Sequence, residues 1–292
     1  MSNTIPTPEV KEAAEAAGWE YIGEKSWVLV NAGFTMNTGL IVGGNKALVI
    51  DPGAGPREAA ATYDAIRAVT DLPLIVVNTH AHGDHFFGND YFRARGVETI
   101  WAHHRTAERI AADGESQREL VKAAEPEMAA GKGAYTRIVV PDSVVKDKPV
   151  DLDLGGHTVT LFHLGRGHTD GDLLVSAGSV LFAGDIVEEG APPSFEDSFP
   201  QEWQKVLGKL IAIDDLYTVI VPGHGRPVDL EFVRTQFHKL RQAILTCTGA
   251  ITEQVNDYTK AVPVLPYGPV QSRYLLTRIK AAGSSRPQTA PR

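Results

Sequence analysis

The feature that most constrains this chain is the run Leu74-Ile75-Val76-Val77-Asn78-Thr79-His80-Ala81-His82-Gly83-Asp84-His85. Four consecutive apolar residues suit a strand buried on both faces. Directly behind them stand three histidines and an aspartate within six residues, in the spacing H-x-H-x-D-H. Imidazoles two residues apart in an extended turn point to the same side, so His80 and His82 can grip one ion. Gly83 lets the backbone bend, and Asp84 and His85 then face a second ion beside the first. Neutral imidazole and carboxylate oxygen are the donors that zinc favours in such sites. The alternative, a polar surface loop that happens to hold three of the ten histidines, does not explain why the block begins where a core strand ends.

Three further candidates lie downstream, each expected at a strand end. His168 follows the strand Val159–Leu164, Asp185 follows Ser179–Phe182, and His224 follows Thr218–Val221. Glycines flank each of them, which lets the side chains approach an ion closely. Ligands on four separate loops at strand ends describe a site carried by a rigid scaffold.

The remaining pattern is mixed. Strands are expected at Trp27–Val30, Thr38–Val42, Ala47–Ile50, Thr99–Trp101 and Leu173–Ser176. Helices are expected at Arg57–Val69, over most of Arg105–Ala130 with a break near Gly114, at Glu202–Ile213 and at Leu230–Val255. Hairpin signals beside strand–helix alternation predict mixed sheets covered by helices. Ala261–Val270, with three prolines, reads as irregular, and residues 281–292 as a disordered tail after a single domain over 1–280. The formal charge of −8 on 292 residues argues against a nucleic-acid partner. No apolar run is long enough to span a membrane and no leader is visible, so a cytoplasmic protein acting on a small molecule is expected. A homo-oligomer is compatible with the long last helix. The single cysteine, Cys247, reads as a small buried residue and not as a nucleophile.

The ordered set of segments resembles the metallo-β-lactamase superfamily. It comprises Val49-Ile50-Asp51-Pro52-Gly53, the H-x-H-x-D-H block, Gly167-His168-Thr169, Gly184-Asp185 and Pro222-Gly223-His224-Gly225. The resemblance covers roughly Asn31 to Gly225. It implies an α/β fold, a four-layered αβ/βα sandwich of two mixed sheets with metals at one edge. It further implies one Zn²⁺ held by His80, His82 and His168, and a second held by Asp84, His85 and His224, with Asp185 bridging. Fe or Mn can occupy such donors as well. Asp51 is then expected to hydrogen-bond the backbone of the His80–His85 loop. The implied activity is a dinuclear hydrolase in which a hydroxide shared by the metals attacks an ester, thioester, lactone or amide carbonyl, with Asp84 as the catalytic residue that orients it and later passes on a proton.

Departures narrow the branch. Zinc β-lactamases with a cysteine in the second site place it where Asp185 stands, so the chain leans towards thioesterases or lactonases. The Cys-Gly-Arg segment of glyoxalase II enzymes is missing, phosphodiesterases and nucleases add basic segments, and persulfide dioxygenases use one iron at the positions of His80, His168 and Asp185. The block Asn78–Asn89 is also similar to metallo-β-lactamase-like cyclases and thioesterases of aromatic polyketide pathways, which are the alternative reading beside a β-lactamase. A metal-stabilised binding module is the non-enzyme reading. Of the other histidines, His103 and His104 are expected at a helix cap or surface, or one of them at the pocket border, His157 solvated in a Gly155-Gly156 turn, His163 packed or supporting the ligands, and His238 outward. Phe86 and Phe87 are expected to pack beneath the metal loop, with a substrate wall as the alternative. The segment Val187–Pro200, with Glu188, Glu189, Glu196 and Asp197, is either a lid with an acidic rim or a solvated connection.

Overall fold

The structure is a computed structural model that describes residues 6–253 and 258–284. The first half runs α1 (Pro8–Ala16), β1 (Trp19–Gly23), β2 (Ser26–Asn31), β3 (Met36–Val42), β4 (Ala47–Ile50), α2 (Pro56–Arg67), β5 (Leu74–Val77), α3 (Gly83–Phe86), α4 (Asn89–Arg93), β6 (Ile100–His103), α5 (His104–Asp113), a 3-10 segment Gly114–Val121, α6 (Pro126–Ala130) and β7 (Ser143–Val145). The second half runs β8 (Val150–Asp153), β9 (Thr158–Phe162), β10 (Leu174–Ala177), β11 (Val180–Gly184), α7 (Pro200–Ile211), a 3-10 turn Asp214–Leu216, β12 (Val219–Pro222), α8 (Leu230–Thr252), a 3-10 segment Tyr258–Val264 and α9 (Gly268–Ser284).

Seven strands form one sheet in the order β1-β2-β3-β4-β5-β6-β7, and five form another in the order β12-β11-β10-β9-β8. Both are mixed. The first is antiparallel from β1 to β4 and parallel from β4 to β7. The second is antiparallel from β8 to β11, with β12 parallel to β11. Inward-facing residues of both sheets, among them Ile41, Leu48 and Val77 against Val159, Val175 and Phe182, build one apolar layer between them. Trp27, Val49 and Val76 point the other way, onto Ile66 of α2 and Phe92 of α4. Leu181 and Ile220 meet Trp203 and Leu207 of α7, Leu240 and Ile244 of α8, and Leu275 of α9. These are the four layers of the expected αβ/βα sandwich. The continuous apolar runs of β4 and β11 follow from burial on both faces.

Helix starts are chemically marked. Asp229 accepts the N–H of Phe232 at the head of α8 (3.0 Å). At α2, Pro56 needs no amide partner, and Glu125 accepts the N–H groups of Arg57 (3.2 Å) and Glu58 (2.7 Å).

Several expectations are corrected. The irregular reading of Ala261–Val270 gives way to a 3-10 segment and the start of α9, because Pro269 falls in a first turn where its missing N–H costs nothing. Helix α9 carries Ser272, Leu275, Leu276 and Ile279 inward and continues to Ser284, so residues 281–284 are helical where a disordered tail was expected. Residues 285–292 lie outside the described ones. His103 is buried and not at the surface: β6 extends two residues beyond Trp101, and the ring stacks on His163 at 4.1 Å and 21°. It occupies the cap position of α5 but makes no cap bond. His104 and His157 are half-buried, each with one buried ring nitrogen lacking a partner, and His157 is therefore not a solvated turn residue. His163 is packed, and its Nδ1 donates to the carbonyl of Asp172 (2.7 Å). His238 is exposed, and Cys247 is buried with its thiol pushed up to about 12 by desolvation. Among the described residues no helix is long and apolar enough to cross a membrane.

Candidate metal centre

The candidate residues converge where strand ends of the two sheets meet. His80 and His82 lie on the loop leaving β5, and Asp84 and His85 on α3. From the other sheet come His168, between β9 and β10, Asp185, directly after β11, and His224, after β12. Two groups result: His80, His82, His168 and Asp185, and beside them Asp84, His85 and His224. In the first group, His82 Nδ1 lies 3.1 Å from His80 Nε2 and 2.9 Å from His168 Nε2. Asp185 Oδ2 lies 3.6 Å from His80 Nε2 and 3.3 Å from His168 Nε2. In the second group, His224 Nε2 is 3.3 Å from His85 Nε2 and 3.2 Å from Asp84 Oδ2, and Asp84 Oδ2 is 3.5 Å from His85 Nε2. Asp185 Oδ1 stands 3.4 Å from His85 Nε2, so this carboxylate faces both groups. A tetrahedral ion with metal–ligand bonds of roughly 2.0–2.1 Å needs donors about 3.3 Å apart. The pairs named above bracket that spacing, and all donors of a group lie within 4.8 Å of one another.

The outer ring nitrogens set the tautomers. Asp51 Oδ2 accepts the Thr79 hydroxyl (2.7 Å) and the Nδ1–H of His85 (2.9 Å). Its hydrogen spent on Asp51, the Thr79 oxygen accepts Nδ1–H of His80 (3.0 Å). His224 Nδ1 donates to the carbonyl of Phe34 (2.9 Å), and His82 Nε2 to Asp197 Oδ1 (3.2 Å). With the outer nitrogen so engaged, the lone pair of each neutral ring lies on its inward nitrogen. Bare nitrogens this close repel unless a cation or a proton lies between them, which is the donor chemistry of a metal site. Asp185 Oδ1 is buried without a hydrogen-bond partner, as is the outer Nδ1 of His168, which lies 3.9 Å from Glu188 Oε1.

Charge is divided unequally. Burial holds the His80 and His168 rings below their ordinary values, His168 at about 4. Burial also opposes charge on His85 and His224, but Asp185 and Asp84, with Asp51 beside His85, outweigh it. They lift His85 to about 9 and His224 to about 11. The same rings keep the Asp84 carboxyl below the usual carboxylate range against its burial. This half of the site favours positive charge strongly enough to hold protons where a cation fits.

The scaffold around these donors is specific. Asp51, at the end of β4 with φ 55°, accepts the N–H of Thr79 at Oδ1 (2.7 Å). The expected backbone bond is thus made to the residue just before the His80–His85 loop, and a second bond goes to the His85 ring itself. Gln117, from the 3-10 segment, accepts the N–H of Gly83 (2.7 Å) and donates to the carbonyl of Ala81 (2.7 Å). Asn37 Nδ2 donates to the carbonyls of Pro222 (2.9 Å) and Gly225 (2.8 Å), tying the His224 loop to β3. A Cβ at Gly223 would sit 1.7 Å from Asp185 Oδ1, so only glycine allows the Asp185 carboxylate its place. Phe86 and Phe87 are buried beneath the loop with Ile110 and Val121, the packing role expected of them.

The centre opens into a cavity of about 510 Å³ lined by His82, Asp84, His168, Asp185 and His224. The segment after Asp185 forms one wall through Glu188, Ala191, Pro192, Ser194, Glu196 and Asp197. It is therefore part of the site, but its carboxylates divide: Glu188 is buried, Asp197 pairs with His82, and Glu189 accepts the N–H of Arg226 (2.8 Å) away from the cavity. Gln117, Asn37 and the role of Asp197 were not legible beforehand, since their partners are distant in the chain.

The solved metallo-beta-lactamase from Pontibacter korlensis superposes with a TM-score of 0.59 over 76% of this chain and 98% of its own, at 20% identity. Metallo-beta-lactamase IND-1 of Chryseobacterium indologenes is 25% identical over 168 residues, 55% of this chain and 59% of its own length. The chain thus spans less than two thirds of that relative. The acyl-coenzyme A thioesterase MBLAC2 of Gallus gallus is 29% identical over 211 residues, 66% of this chain and 73% of its own. The sequence profile of the metallo-beta-lactamase superfamily matches residues 32–224, from just before β3 to the last candidate ligand, and the chain belongs to that superfamily.

Proposed function

We propose that the protein is a dinuclear zinc hydrolase that cleaves an ester, thioester, lactone or amide carbonyl bond of a small molecule. The observation that carries this reading is the pair of donor groups sharing Asp185, each at tetrahedral spacing and both open to one cavity. Two divalent ions bound there would lower the pKa of a water towards about 7 and polarise a carbonyl oxygen. His80, His82 and His168 would hold one ion, Asp84, His85 and His224 the other, and Asp185 both. Asp84 lines the cavity with a fifth of its side chain exposed. On this reading its carboxylate orients the attacking water, holds the proton released and returns it to the departing group. Asp197, Thr79 and Asp51 keep the imidazoles turned inward, so no ring has to reorient during turnover.

The relatives named as a metallo-beta-lactamase and an acyl-coenzyme A thioesterase both support hydrolysis at a carbonyl. Aspartate at position 185, in place of cysteine, favours the thioester and lactone side. Metal analysis of tag-free protein, coupled to a panel of acyl-thioesters, lactones, β-lactams and bis-p-nitrophenyl phosphate, tests the reading. Two zinc ions per chain and turnover of carbonyl substrates are expected. Substoichiometric metal, or turnover confined to the phosphodiester, refutes it.

A further inference from the structure

The cavity above the metal centre is chemically two-sided. One part of its wall is apolar: Phe34, Leu120, Ala191 and Pro192. Leu120 is 66% exposed, a large aliphatic side chain left facing the cavity mouth. The other part is acidic: Asp113 from α5, and Glu196 and Asp197 from the segment after β11. Asp113 and Asp197 are 50% and 30% exposed, against 6% for Asp185, so the carboxylates stand at the mouth and not at the floor.

Among the described residues lining this cavity, Arg109 is the single lysine or arginine. It is already committed. Its Nε lies 2.8 Å from Asp113 Oδ2, and its Nη2 lies 3.5 Å from Asp197 Oδ2. Arg278, the other guanidinium near this segment, donates to the backbone carbonyls of Ser198 (2.6 Å) and Asp197 (3.2 Å) and does not line the cavity. The three carboxylates of the mouth outnumber the one guanidinium paired with two of them, so an anionic substrate group there would meet net negative charge and no uncommitted guanidinium. Like charges brought together across an interface cost binding and slow encounter, and an entrance of net negative charge favours the approach of cations over anions.

We infer that the mouth selects by charge: the substrate joins an apolar acyl group to an uncharged or cationic alcohol, thiol or amine, and anionic leaving groups such as coenzyme A are disfavoured. The inference rests on the hydrolase reading for its reaction, but not for its binding order. It also separates this chain from the relative named as an acyl-coenzyme A thioesterase, whose substrate carries several negative charges.

The test uses three thioacetates of similar size, those of thiocholine, of 3,3-dimethylbutanethiol and of mercaptopropionate, with the metal-loaded protein. The three ketones in which methylene replaces the thioester sulfur serve for calorimetric binding. The expected order of both kcat/KM and affinity is cationic, then neutral, then anionic, with about fivefold or more between the ends at low salt and a narrower gap at high salt. Asp113→Asn removes one carboxylate and releases Arg109, so it should raise affinity for the anionic ketone relative to the cationic one. Glu196→Lys should do the same without touching Arg109. If the anionic ketone binds as tightly as the cationic one, the inference is overturned whatever the turnover. If the ketones bind in the expected order but no thioacetate is hydrolysed, the hydrolase reading fails and the charge selection stands.

Discussion

Asp51→Asn is the substitution that best tests whether the tautomers described above control the centre. Asparagine has nearly the same shape as aspartate and tolerates the left-handed φ of 55°, so the backbone is undisturbed. Its Oδ1 can still accept the Thr79 N–H. Its amide nitrogen, however, replaces an acceptor that serves the Thr79 hydroxyl and the His85 ring, both within 2.9 Å. A donor there forces both partners to reverse. His85 must then bare Nδ1 and protonate Nε2, the nitrogen that faces Asp84 and His224. The Thr79 hydroxyl, now receiving from the amide, donates to His80 Nδ1 and moves that proton to Nε2 as well. Both donor groups therefore lose a lone pair that only a disfavoured tautomer restores. Loss of such a supporting contact costs about 10- to 100-fold in metal affinity, or roughly 1.4–2.8 kcal/mol per site. Zinc affinity is read by competition with a chromophoric chelator, and urea unfolding of the metal-free variant separates a general loss of stability. Two unchanged zinc affinities in Asp51→Asn would refute the tautomer argument.

Other consequences are equally direct. Gly223→Ala should abolish stoichiometric metal binding, because the new Cβ takes the space of Asp185 Oδ1; normal metal content would show that this carboxylate is not the bridge. Gln117→Leu leaves the Gly83 N–H and the Ala81 carbonyl unpaired, at a cost of about 2–4 kcal/mol in metal-free unfolding, and should speed amide exchange at Gly83. His103 is held at about 3 by burial and by the neighbouring His163, below its unfolded value near 6.5. Its contribution is complete above about pH 6.5 and is lost as pH falls towards 3, on the order of a few kcal/mol. The difference in urea midpoint between metal-free wild type and His103→Asn should accordingly shrink on acidification, and a difference independent of pH would contradict that assignment.

The donors themselves were legible because they stand in short motifs at strand ends, where apolar runs stop and glycines begin. What orients them was not. His224 is turned by the carbonyl of Phe34, 190 residues away, His82 by Asp197, 115 away, and the loop at Gly83 by Gln117, 34 away. Such pairings exist only once two sheets have packed, and no local pattern announces them. The misread elements failed for local reasons instead. Pro266 and Pro269 disguised the start of α9, although Ser272, Leu275, Leu276 and Ile279 carry a helical period. Two extra residues of pleat in β6 were enough to swing His103 from surface to interior.

The donors of each group come from both sheets. His80, His82, Asp84 and His85 follow β5, whereas His168, Asp185 and His224 follow strands of the other sheet. Any ion held there is a non-covalent cross-link between the halves, closing long loops of chain. Separating the sheets then requires releasing it, so stability rises with free metal by about 2.7 kcal/mol per site at a hundredfold excess over Kd. On the proposed metal-dependent reading, metal supply would govern how long the chain survives as well as what it can catalyse, and a chelator would loosen the molecule along the seam between its two sheets.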